Sequence, residues 1–320
     1  MRALVLAVVL GLVAVGCSDD GGDTTTEAST STSTSTEAST TTTSAVTPLD
    51  TYEVSETRPT WVDTTRTTAA HGGQPELPER TLDVVVYAPD GEPGPWPLVV
   101  FGHGSSRAGD HYAATLRAWA SAGYVVVAPD YPLTSEGTPG GSKLDDVEAQ
   151  TGDVSFLIDT ALAELDTIDP ERIGIGGQSL GAITALGVGF NACCADPRID
   201  VVTEFAGIWF PLSDGAQDPA TTDRPLLMVH GGADHSLTSI DTALQVWEDT
   251  IDAPGGFITL TGAEHDDGYY DGPVDARGTV VTEAALAFYD AHLKDDPDGW
   301  ERVQAAVEAA GPDVATLRDR

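Results

Sequence analysis

The sequence predicts an α/β fold: an open, mostly parallel sheet with helices on both faces. Three observations carry this. Short continuous apolar runs are bounded by Gly, Pro and Asp, helical patterns lie between them, and the two alternate from residue 81 to residue 293. Continuous apolar runs of strand length mark strands buried on both faces. Strand–helix alternation marks parallel pairing.

The first strand, TLDVVVY at 81–87, is β-rich and alternating. PLVVF at 97–101, YVVVA at 124–128, IGIG at 173–176, VVTEFAG at 201–207, PLLMV at 225–229 and FITL at 257–260 follow as buried strands. Helical spacing covers 112–120, 147–165, 180–190, 239–250 and 282–293. Residues 48–79 are Pro-rich and polar and are expected along one sheet edge, and 300–320 reads as one or two short helices. About 17 residues separate the strands at 207 and 225, too few for a bulky helical cover, so little or no lid is expected.

The chain has 320 residues, 41% of them hydrophobic, enough apolar surface to fold. It carries 51 acidic and 15 basic residues, a formal charge of −36. Phosphate binding rests on Lys and Arg, so nucleic acid is excluded as a partner, and docking on anionic lipid is disfavoured. A monomer is expected. No Cys/His cluster supports a metal.

The N-terminus carries one charge, Arg2, before an apolar run to Gly16 that is too short to span a membrane. It ends Ala14-Val15-Gly16-Cys17, which resembles a bacterial lipobox. That likeness implies a signal peptide at 1–16, lipidation of Cys17, and a protein exported to the outer face of the cell membrane or secreted. Of the 21 residues from 24 to 44, 17 are Ser or Thr, so 17–47 reads as a disordered tether and 48–320 as the folded domain. Cys193 and Cys194 are adjacent. Export permits a vicinal disulfide, and two free thiols are the other possibility.

One constellation points to chemistry. The strand at 173–176 runs into Gly177-Gln178-Ser179-Leu180-Gly181 and then a helix. G-x-S-x-G in a strand–turn–helix context lifts a serine hydroxyl to a helix N-terminus, where developing negative charge is favoured. A serine needs a base, and His265 follows the last core strand. An acid should follow the preceding strand. Asp234 in His230-Gly231-Gly232-Ala233-Asp234 is the candidate, with Glu204 and Glu264 as fallbacks. The oxyanion donors are expected from the N–H groups of Leu180 and Ser105, less readily His103, in the Gly102-His103-Gly104-Ser105 loop.

These segments resemble those of the α/β-hydrolases. The matching stretches are RTLDVVVYAP (80–89), PLVVFGHGSS (97–106), GYVVVAPDYP (123–132), DPERIGIGGQSLGA (169–182), DPRIDVV (196–202) and HGGAD (230–234). Within that superfamily the chain is similar to secreted serine esterases related to platelet-activating-factor acetylhydrolases and dienelactone hydrolases. Dienelactone hydrolases proper use a Cys nucleophile, where this chain has Ser179. The resemblance implies an eight-stranded sheet, cleavage of small-molecule or polymeric esters through an acyl-enzyme, and no cofactor. A second likeness is to cutinase-like polyester hydrolases. It rests on Trp209 just after a strand, with Tyr131 and His103 as further substrate-facing residues, although the oxyanion loop is of His-Gly type. An amidase or exopeptidase and a non-catalytic surface binding protein are the alternatives of other classes.

Overall fold

The computed structural model describes residues 51–320, apart from 92, 213–218, 221 and 271. The expected signal peptide, Cys17 and the Ser/Thr-rich tether lie outside the described residues, as does part of the connection expected to leave the mouth open. Among the described residues ten strands form one sheet: β1 (Val54–Thr57), β2 (Thr60–Asp63), β3 (Arg80–Pro89), β4 (Trp96–Gly102), β5 (Val125–Asp130), β6 (Ile168–Gly177), β7 (Val201–Phe205), β8 (Leu226–Gly231), β9 (Gly255–Leu260) and β10 (Ala315–Asp319). Their order is β1-β3-β5-β4-β6-β7-β8-β9-β10, with β2 also on β3. The run from β5 to β9 is parallel, and β3 and the outer strands are antiparallel.

Helices α1 (Ala113–Ser121), α5 (Ala276–Leu293) and α6 (Gly299–Ala310) cover one face. Helices α2 (Val147–Glu164), α3 (Leu180–Phe190) and α4 (Ile240–Gln245) cover the other. The apolar runs explain why both faces need cover. Val99, Val126, Leu227 and Ile258 enter the first core, while Leu98, Val125, Leu226 and Phe257 enter the second. Successive strand residues point to opposite faces, so a continuous apolar run fills two cores at once. Among the described residues no helix is long and apolar enough to cross a membrane.

The sheet departs from the expected eight strands at both edges. The 48–79 stretch does pack along an edge, but it contributes β1 and β2 as real strands. The C-terminal stretch supplies one of the expected helices, α6, but ends in a strand, β10. Gly311, at φ 80°, ends α6, Pro312 follows, and Ala315 to Asp319 pair with Leu260 to Gly256. Such short pieces carry no periodicity long enough to read alone.

A charged knot ties the N-terminal edge down. Arg80 donates from Nε to Asp153 Oδ1 at 2.6 Å and from Nη2 to Asp146 Oδ2 at 2.6 Å. All three side chains are buried. Arg66 adds a bond to Asp153 at 2.7 Å and one to Asp63 at 2.6 Å. Burial pushes the Asp146 carboxyl upward, and the Arg80 hydrogen bonds and charge offset this only in part. Arg80→Met leaves two buried carboxylates without their shared cation and is expected to cost about 3–5 kcal/mol. Urea unfolding of the two proteins checks this, and a loss below about 1 kcal/mol would show the knot to be dispensable.

Candidate active site

The site lies at the carboxyl ends of β4, β6, β7 and β8. Ser179 joins β6 to α3 with φ 52° and ψ −114°, a conformation rare for a residue with a side chain. The flanking glycines make the turn possible. A Cβ on Gly177 would lie 2.4 Å from the carbonyl of Gly181, and one on Gly181 would lie 2.1 Å from Gly102 O. Hydrogen bonds fix the turn from both sides: Gln178 N–H donates to Gly102 O at 3.1 Å and Ser179 N–H to Phe205 O at 2.8 Å.

The three candidate residues form a hydrogen-bonded chain. His265 Nε2 is 2.9 Å from Ser179 Oγ, and its Nδ1 is 2.8 Å from Asp234 Oδ2. Nδ1 also lies 3.2 Å from Ser236 Oγ and 3.3 Å from Thr238 Oγ1. One N–H serves one strong bond, and the carboxylate is nearest. Asp234 is 1% exposed. Burial alone would raise its carboxyl, but bonds from His265 and from the Ser236 N–H, the latter at 2.8 Å, hold it below the usual range. The fallback acids are engaged elsewhere. Glu204 is fully buried, accepting from Gly207 N–H and facing His230 Nε2, each at 2.7 Å. Glu264 is exposed, and it is Asp234 that meets His265.

On the oxyanion side, the Gly104 N–H is taken by Tyr112 Oη at 3.0 Å. The N–H groups of Leu180 and Ser105 donate to no acceptor among the described residues. His103 corrects the sequence expectation of a substrate-facing role. It is 1% exposed, donates from Nδ1 to Gly104 O at 2.7 Å and accepts at Nε2 from Tyr131 N–H at 3.0 Å. It is the internal brace of its own loop. Tyr131 is likewise corrected: it is fully buried beneath the site, with its hydroxyl unpartnered among the described residues. Trp209 sits at the expected strand end but is 8% exposed, so it does not form an open aromatic wall.

Sequence reading missed the residues behind the loops. Tyr112 donates to Gln178 Oε1 at 2.9 Å, joining the oxyanion-side loop to the elbow. Tyr270 and Arg107 bridge toward the His265 loop. These contacts join residues far apart in sequence, and only the Gly-rich spacing hinted that something must pack there. Beside Ser179, Leu180 and Ile183 of α3 meet Val147, Leu212, Ile208 and Cys194 in an apolar cluster. Cys193 and Cys194 are joined as a vicinal disulfide just beyond α3. Asn191 staples the neighbouring loop, donating to Phe210 O at 3.0 Å and accepting from Leu212 N–H at 3.4 Å. No group of three or more His, Cys, Asp or Glu among the described residues is placed to hold a metal ion.

Burial lowers His103 to about 4, against 6.5 when exposed. Between those values the unfolded chain takes up a proton that the folded chain refuses. Stability therefore falls as pH drops through that window, and is fully held above it. His103→Gln removes this titration, so its stability is expected to fall less between pH ~7 and ~4, by on the order of 2–3 kcal/mol. Unfolding curves across that range check this, and parallel pH slopes in the two proteins would refute it.

Comparison with known proteins agrees with this architecture. The sequence model of the family described as Chlorophyllase matches residues 59–205. A comparison with curated protein sequences finds no match. Among solved structures, a ferulic acid esterase from Streptomyces cinnamoneus superimposes with a TM-score of 0.60 at 18% identity, covering 80% of this chain and 93% of that one. With its parallel sheet, its serine elbow at the end of β6 and this structural likeness, the chain has the α/β-hydrolase fold.

Proposed function

We propose that the protein is a serine hydrolase acting on carboxylic esters. The observation that carries the reading is the Ser179–His265–Asp234 chain at a strained elbow, with bonds of 2.9 and 2.8 Å. The structural neighbour named an esterase and the partial family match support ester hydrolysis in general. In this reading Ser179 Oγ attacks the ester carbonyl while His265 Nε2 takes its proton. Asp234 holds the Nδ1–H and stabilises the imidazolium. The N–H groups of Leu180 and Ser105, free of other acceptors, bind the oxyanion. His265 then protonates the departing alcohol, and water, activated the same way, releases the acid from the acyl-enzyme.

Phe210, 38% exposed, and Leu237, 82% exposed and directly after Ser236, leave apolar surface at this end of the sheet that suits an apolar acyl or alcohol group. Burial of Tyr131 and Trp209 removes the aromatic wall on which a polyester reading rested. We also infer export with a lipid on Cys17. The disulfide at Cys193–Cys194 supports an oxidising compartment, since such bonds are rare in the cytosol.

Three variants test these readings. Ser179→Ala should lower turnover of p-nitrophenyl esters by about 10⁴-fold or more while leaving the thermal transition in place. Ser179→Gly should be equally inactive yet more stable than the alanine variant by about 1 kcal/mol, because glycine tolerates φ 52°. Turnover surviving in either variant would sink the assignment. Cys17→Ala should shift the protein from the detergent-soluble membrane fraction to the medium or to an unprocessed precursor, and an unchanged distribution would overturn lipid anchoring.

A further inference from the structure

We propose that the Tyr270 hydroxyl is a positioning group that locks the oxyanion-side loop to the His265 loop. The inference rests on the esterase reading of the site. Three loops meet at this one side chain. Tyr270 Oη donates to Asp266 Oδ1 at 2.5 Å, and Asp266 is the neighbour of His265. Arg107 Nε donates to Tyr270 Oη at 3.3 Å, and its guanidinium lies over the ring at 5.0 Å. Gln178 Oε1, next to Ser179, lies 3.4 Å from the same hydroxyl, whose one proton is on Asp266, so the elbow is held by Tyr112 Oη instead.

Arg107 carries the link into the oxyanion side. Its N–H closes a turn on Gly104 O at 3.1 Å, and its carbonyl accepts from Glu136 N–H at 2.9 Å. The Ser105 N–H sits inside that turn. The guanidinium also reaches Asp266 Oδ2 at 3.3 Å. An exposed ion pair by itself does little. The hydroxyl converts it into a three-way joint, because it receives from the cation and gives to the carboxylate. Burial first, and then the Asp266 bond, push Tyr270 up to about 12, so it keeps its proton in ordinary buffers. The ring packs on Tyr112, whose own hydroxyl holds the Gly104 N–H and Gln178 Oε1.

The joint matters because oxyanion donors act only when placed on the developing charge, and small displacements are costly. Tyr270→Phe keeps the ring packing and removes the hydroxyl. For p-nitrophenyl acetate, kcat is expected to fall about 10-fold with KM changed by less than about twofold. Binding of a boronic acid, which forms a tetrahedral adduct on Ser179, should weaken by a similar factor. Tyr124→Phe is the matched control. It removes a buried hydroxyl bonded to Asp290 at 2.6 Å, on the α5 side of the sheet. It should keep wild-type kcat.

A Tyr270→Phe protein with kcat within about twofold of wild type, or the same loss in Tyr124→Phe, overturns the proposal. If the wild-type protein cleaves no ester, the esterase reading fails separately. Labelling of Ser179 by a fluorophosphonate then decides the inference. Slower labelling in Tyr270→Phe by about 10-fold upholds it, and equal rates overturn it.

Discussion

A φ of 52° at Ser179 persists only because the strands on either side of β6 hold the elbow in place. Gln178 is pinned to β4 and Ser179 to the end of β7. Between them, Gly177 and Gly181 bring β6, α3 and the end of β4 closer than a Cβ at either position would allow. The arrangement therefore needs a parallel sheet with β6 between β4 and β7, and that sheet needs cover on both faces. The two apolar cores, the crossover helices and the placing of the later loops follow from that need. Asp234 and His265 arrive at Ser179 because β8 and β9 are the next strands along.

Charge is managed by geometry more than by number. Among the described acidic residues, the one that meets His265 is the buried carboxylate at the end of β8. Glu204 lies on the adjacent strand, but its oxygens are committed to His230 and the Gly207 N–H. Several of the cations are used internally. Arg80 satisfies two buried carboxylates. Arg224 and Arg320 turn their guanidinium groups on carbonyl oxygens at loop ends. A planar fork with five donors can close several loop groups at once, which a lysine ammonium cannot. This accounts for a basic set dominated by arginine, with two lysines, in a chain of charge −36.

The legible part of the sequence was the part governed by local rules. Strands buried on both faces must be continuously apolar, and a serine elbow must be flanked by small residues, so β4 to β9 and Ser179 could be read directly. Asp234 and His265 followed from strand order. The edge strands β1, β2 and β10 were not legible, since four or five residues hold too little period to distinguish strand from turn. His103 and Tyr131 were misjudged for a different reason. A polar or aromatic residue at a strand end can face the mouth or brace the loop beneath it, and the choice depends on partners such as Gly104 O, which no local pattern reveals. Tyr112, Gln178 and Tyr270 belong to the same class of unreadable contact.

Strain is concentrated where the chemistry is proposed to occur. Among the described residues, non-glycine positions with positive φ are Ser106, Ser179, Ala206 and Asp295. The first three sit just past the ends of β4, β6 and β7, three adjacent strands. Each is over-determined by a hydrogen bond from its own N–H: Ser106 to Thr134 O at 2.7 Å, Ser179 to Phe205 O at 2.8 Å, Ala206 to Val229 O at 2.9 Å. Such conformations cost on the order of 1–3 kcal/mol apiece and survive only where surrounding structure enforces them. Three in a row would consume much of the 5–15 kcal/mol by which a domain is stable. Apolar burial in the two sheet cores supplies what offsets them. In this fold the mouth is the least relaxed part of the molecule, and the stability of the remainder is what allows it to stay so.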